Sequence, residues 1–174
     1  MATSTHSSSG GVGQGACDTF LHVMTKRAGK IKGEARSTGH ADDIVVAGWH
    51  WGLASAAALG TTAATSRRSY TALTVVKAID SATTPLMSAL ATNDEVKEAK
   101  LTMRRAGGEQ EDFFLITLKS ARITSLHHEV DSAGNTQETI GITFTEVEVE
   151  YRNQRDSGQR GASTMFVDAI ATNT

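Results

Sequence analysis

Apolar and polar positions alternate along most of this chain, the pattern of strands with one buried face. Phe20, Leu21, Val23 and Met24 form a short β-prone run within residues 18–24. Residues 30–35 offer a second short strand after the Ala28-Gly29 turn. Ile44, Val45 and Val46 open a stronger run that continues to Trp49, His50 and Trp51. Strand geometry then puts Trp49 and Trp51 on one face and His50 on the other. Residues 53–69 are poor in charge, rich in Ala, Ser and Thr and without period, so they read as a loop. Residues 70–79 are β-prone again, with Leu73, Val75 and Ile79 on one face and Val76 opposite.

The pattern predicts one helix. Thr84 can cap it, Pro85 suits its first position, and Leu86, Ala89 and Leu90 fall on one face. Asn93 is its stop signal. So short a helix must gain its stability by packing on a sheet.

The second half is the most clearly β. Ala99, Leu101 and Met103 alternate with Lys100, Thr102 and Arg104, and Gly107-Gly108 marks a turn. Phe114, Ile116 and Leu118 share a face, but the apolar phase then shifts to Ala121 and Ile123. Such a shift predicts a bulge or bend near Lys119-Ser120. After a turn around Gly134-Asn135 the device recurs: Ile140, Ile142 and Phe144 are in phase, then Val147, Val149 and Tyr151 one step later. Residues 163–170 supply a last strand. Long, bent, antiparallel strands with turn-rich connections favour a β-barrel or tightly curved sandwich, and no βαβ alternation argues for a doubly wound sheet.

Composition narrows the function classes. The chain has 174 residues, enough for one domain with a sizeable core. With 17 Lys+Arg against 19 Asp+Glu there is no basic footprint, so nucleic-acid binding is not the expected main role. No apolar run is long enough for a membrane-spanning helix. The single cysteine, Cys17, gives no disulfide framework and reads as a small buried hydrophobe. Residues 1–15 lack Lys, Arg and an apolar run, so they read as a flexible tail rather than a secretory signal, with residues 16–174 as one domain.

No catalytic constellation stands out. His127 and His128 are neighbours on a strand and point to opposite faces. HExxH and GxSxG are absent, and so is the His-x-His pair expected of a cupin-like metal barrel. The group His40-Ala41-Asp42-Asp43 reads as a polar turn that starts a strand. Glu146, Glu148 and Glu150 share one face of one strand, and Lys100 and Arg104 offer a basic face on another. Cross-strand pairs between them would form a solvated ladder or a subunit contact.

Four segments in order resemble the Hcp family, the tube proteins of bacterial type VI secretion. They are Lys32-Gly33-Glu34 with His40-Ala41-Asp42-Asp43-Ile44 and Trp49-His50-Trp51-Gly52; residues 73–80 leading into Thr84-Pro85-Leu86-Met87; residues 99–108; and Ile116-Thr117-Leu118-Lys119 with residues 147–151. The resemblance implies a two-sheet β-barrel flanked by one short helix, assembling into hexameric rings that stack as a tube. It implies a non-enzymatic role without cofactor or metal, with spike protein, contractile sheath and secreted effectors as partners and no membrane insertion. Such a protein assembles in the bacterial cytoplasm and is then secreted without a cleavable signal peptide. Carried onto this chain, the resemblance puts His50 toward the ring lumen as an effector-binding candidate; Trp49 and Trp51, as large aromatic side chains, read as core anchors. It makes residues 53–69 the ring-stacking loop, with Leu53, Leu59, Thr62, Arg67 and Arg68 as candidates. A phage-tail-like tube protein and a cupin-like metal-binding barrel enzyme are the alternatives.

Overall fold

The structure is a computed structural model that describes residues 17–55, 68–105, 111–154 and 160–170. The tail read at residues 1–15 and the Gly107-Gly108 turn lie outside the described residues. Twelve strands and one helix are described: β1 (Cys17–Thr25), β2 (Lys30–Ile31), β3 (Ile44–Val46), β4 (Gly48–His50), β5 (Leu53–Ser55), β6 (Arg68–Tyr70), β7 (Leu73–Lys77), α1 (Thr83–Ala91), β8 (Val96–Arg105), β9 (Asp112–Val130), β10 (Thr136–Thr143), β11 (Glu146–Gln154) and β12 (Arg160–Ala169).

All pairings are antiparallel. The long strand β9 organises them. Its first half lies between β8 and β11, and its second half pairs with β10. The phase shift read at Lys119-Ser120 is the hinge: Ser120 has φ 45°, and the strand passes there from one sheet to the other. The second phase shift falls between β10 and β11, which together follow β9 on one side. One sheet therefore runs β12-β11-β9-β8-β1, with β2 and β3 on β1; the other runs β9-β10-β7-β4. The chain from β3 to β4 closes the barrel, because β3 pairs with β1 and β4 pairs with β7.

The core is aliphatic. Leu21, Val23, Ile44, Leu73, Leu86, Leu101, Ile116, Leu118, Ile140 and Ile142 are buried together. Each such side chain contributes roughly 1.5–3 kcal/mol on burial. Helix α1 adds Leu86 and Ala89 and packs against β9.

Several expectations need correction. The second strand stops at Ile31, because residues 32–43 fold back as a polar loop over β1 and β8. That return needs Gly33, whose Cβ would lie 2.6 Å from Ile44 Cα. Strand β7 ends at Lys77, so Ile79 is exposed and Lys77 takes the inward position. The helix starts from Ala82 without a side-chain cap, and Pro85 is its third residue rather than its first. Asp80 fixes the start instead, accepting from the Ala82 amide at 2.9 Å. The stop is as read: Asn93 adopts φ 51°, its amide donates to Leu90 O and that of Asp94 to Ala89 O, a Schellman closure. Residues 53–55 and 68–70 are not loop but a small separate hairpin. Cys17 is exposed, since it begins an edge of β1 beyond the packed core.

Candidate assembly surfaces

Register places His50 beside Thr74, then Gly141 and Ser125, across the outward face of the second sheet. The next row is Gly48, Val76, Thr139 and His127. His50 is exposed at the end of β4, and His127 shares its face. This is a surface of small and hydroxyl side chains carrying two imidazoles.

The tryptophans point the other way and are half-buried. Trp49 stacks on Phe114 with centroids 6.1 Å apart. Trp51 stacks on Tyr70 at 5.7 Å and meets Phe144 at 6.1 Å. Both pack against the aliphatic core. Trp51 Nε1 is buried and has no hydrogen-bond partner among the described residues.

Within one chain the solvated ladder does not form. Glu146, Glu148 and Glu150 do share a face of β11, but β9 separates β11 from β8. Glu148 faces Lys119 at 3.9 Å, and Glu150 receives two hydrogen bonds from Arg152, at 2.8 and 2.9 Å. Lys100 instead lies 3.7 Å from Glu98. Arg104 is buried, donating to Asp112 at 3.0 Å and to the Thr38 carbonyl at 2.8 Å. Pattern reading found the faces but not the neighbours.

Two buried ionic clusters were missed. In the first, His40 stacks on Phe20 at 4.4 Å. Its Nδ1 lies 3.0 Å from Asp43 and its Nε2 3.1 Å from Asp112. Asp43 is also met by His22 at 3.1 Å and Lys30 at 2.9 Å. Burial pushes the Asp43 carboxyl up, but hydrogen bonds from Lys30, His40 and His22 outweigh it and hold the group below the usual carboxylate range. In the second, Lys77 and Glu138 are fully buried 2.9 Å apart. Lys77 also reaches Asp80 at 2.7 Å, and His128 meets Glu138 at 2.6 Å. Here too burial opposes ionisation, and Lys77 and His128 overcome it, so Glu138 is held low. The hint of the first cluster was the group 40–43; nothing in the alternation marked Lys77. Both clusters fasten loops to strands, and among the described residues no group of three or more His, Cys, Asp or Glu is arranged to hold a metal ion.

Strand β12 is the most exposed apolar element. It pairs with β11 on one side, and Met165, Phe166 and Val167 are 58%, 43% and 67% exposed. Three consecutive apolar residues on a strand must show both faces, and that was the available signal. Of the stacking-loop candidates, Leu53 is exposed on β5, and Arg68 on β6 is engaged by Asp168. Leu59, Thr62 and Arg67 lie outside the described residues.

Comparison with known proteins adds the family. A family model described as "Type VI secretion system effector, Hcp" matches residues 20–151. The chain is 31% identical over 150 residues to Protein hcp1 of Pseudomonas aeruginosa, covering 83% of this chain and 89% of that protein. Among solved structures, a type six secretion system protein superposes with TM-score 0.77 at 24% identity, over 86% of this chain and 92% of that one. A mutant form of Hcp1 from the E. coli EAEC 042 pathovar gives TM-score 0.73 at 19% identity, over 88% of this chain and 99% of that one. Both show the same fold.

Proposed function

The chain belongs to the Hcp family of type VI secretion proteins, and on that premise we propose that it is a tube subunit whose copies close into a hexameric ring. The observation that carries this is β12. Among the described residues it is a ten-residue edge strand with three large apolar side chains exposed, an open invitation to pairing. Contact with a different surface of a neighbour, repeated by rotation, closes a ring and covers every such edge. The rings stack into a tube, engage a spike protein and a contractile sheath, and leave the bacterial cytoplasm with effector proteins in the lumen. The protein acts as structure and carrier rather than as an enzyme. Residues 53–69 serve ring-to-ring contact in this reading.

The face of His50 and His127 lines the lumen. Its small polar side chains leave room for cargo, and the imidazoles of His50 and His127 offer ring nitrogens to hydrogen-bond it. His50→Ser should weaken effector binding; unchanged binding sinks that assignment.

Absolute mass by light scattering on a sizing column tests the ring. Six 18.4 kDa chains weigh about 110 kDa. A species of that mass is expected, and a monomer over a wide concentration range overturns the reading.

A further inference from the structure

Among the described residues the hairpin of β5 and β6 forms no backbone ladder with the barrel. Tyr70 anchors one side of it, stacked on Trp51 and edge-on to Phe144 at 5.7 Å. A single carboxylate holds the other. Arg68 Nη2 donates to Asp168 Oδ1 at 2.6 Å, while Arg68 Nε and Tyr70 Oη both donate to Oδ2. Arg68 Nη2 also reaches the Ala169 carbonyl at 3.4 Å.

Asp168 is placed where an apolar residue would be expected. It sits opposite Val147, on the inward face of β12, and Val147 is buried. Its side chain is only 15% exposed, against 57% for Arg68. A charge at such a position needs partners, and both come from β6, about a hundred residues earlier in the chain. Hydrogen bonds from Arg68 and then Tyr70 hold the Asp168 carboxyl below the usual carboxylate range, so the link is ionic at neutral pH. Convergent donors of this kind fix direction as well as distance.

We propose that Asp168 is a positioning residue that joins the β5–β6 hairpin to the edge strand β12, so that a second copy of the chain seated on β12 also fixes the hairpin. Contact within a ring then sets the segment expected to meet the next ring. This second part rests on the ring reading given above; the link itself does not.

Hydrogen exchange on the full chain tests it. Hydrogen bonds to charged groups are strong enough that Asp168→Asn should speed exchange at residues 53–55 and 68–70 about tenfold. Exchange in β8 and β9 should stay unchanged. Arg68→Glu, at an exposed position, sets like charges together and should speed the hairpin further. Unchanged hairpin exchange in both variants overturns the link, and so does an equal rise in β8 and β9. In the wild type, dilution below ring assembly should loosen the hairpin; in Asp168→Asn it should be equally loose at both concentrations. Equal wild-type exchange at both concentrations overturns the coupling. A wild type that stays monomeric throughout overturns the ring reading and the coupling with it, while the variants still decide the link.

Discussion

The two flanks of the larger sheet begin alike and end differently. At one flank, β1 and β8 turn Phe20, Thr102 and Arg104 outward, and the loop of residues 32–43 folds over them. Phe20 is 4% exposed and Arg104 6%. At the other flank, β11 and β12 turn Glu148, Glu150, Met165 and Val167 outward, and among the described residues nothing from the chain covers Met165 or Val167. The first flank needed polar loop and buried ions to seal it. The second keeps an apolar strand in water, the kind of edge that another surface can cover. In the ring reading proposed above, the difference separates what the protomer completes alone from what assembly completes.

Removing the seal should have the largest effect. Asp43→Ala takes the shared carboxylate from His22, Lys30 and His40. Leaving buried His40 and half-buried His22 and Lys30 without this acceptor costs about 1–3 kcal/mol, to be read as a lower urea midpoint. If the unfolding free energy stays within about 0.5 kcal/mol of wild type, the covered flank is not an energetic seal.

The open flank should fail differently. Val167→Glu adds a charge to a side chain already in water, so protomer stability should move by less than about 0.5 kcal/mol. Ring association should weaken by tenfold or more, measured as a shift of the dissociation concentration. A ring as tight as wild type would place the protomer contact elsewhere.

Acid should act on the sealed clusters. Asp43 and Glu138 have carboxyls held below their unfolded values, so each contributes stability that is present above about pH 4. That stability is lost as pH falls through the folded-state values. The melting temperature should drop below pH 4, and Glu138→Gln should show a smaller drop over that range. An equal drop in the variant would assign the acid loss to other groups.

The smallest effect belongs to Glu148. Its contact with Lys119 is 3.9 Å long and partly exposed. Glu148→Gln should change stability by under about 0.5 kcal/mol in a double-mutant cycle with Lys119. A larger coupling would show that the open flank stabilises itself by charge.

Much of the fold was legible because it is written in local period. The phase shift after Leu118 announced the hinge at Ser120, and the signal at Asn93 announced the helix stop. The opposite faces of His50 and the tryptophans followed from alternation alone. Lys77 was not legible, because it occupies an apolar position in phase with Leu73 and Val75 and is accepted there by Glu138, which is distant in sequence. His40 was read as a turn residue; its burial comes from Phe20 and Asp112, brought over it by strand pairing.

By itself the sequence determined which residues form strands, where the long strands bend, and which side chains share a face. Those properties depend on neighbours within a few residues. The tertiary structure alone decided that β9 lies between β8 and β11, so that Lys100 and Arg104 do not meet the glutamates of β11 within the chain. It decided that among the described residues β12 is an edge strand, with Asp168 turned toward β6. Order in a sheet is set by closure of the barrel over long stretches of chain, and no local period records which strand comes to lie next to which.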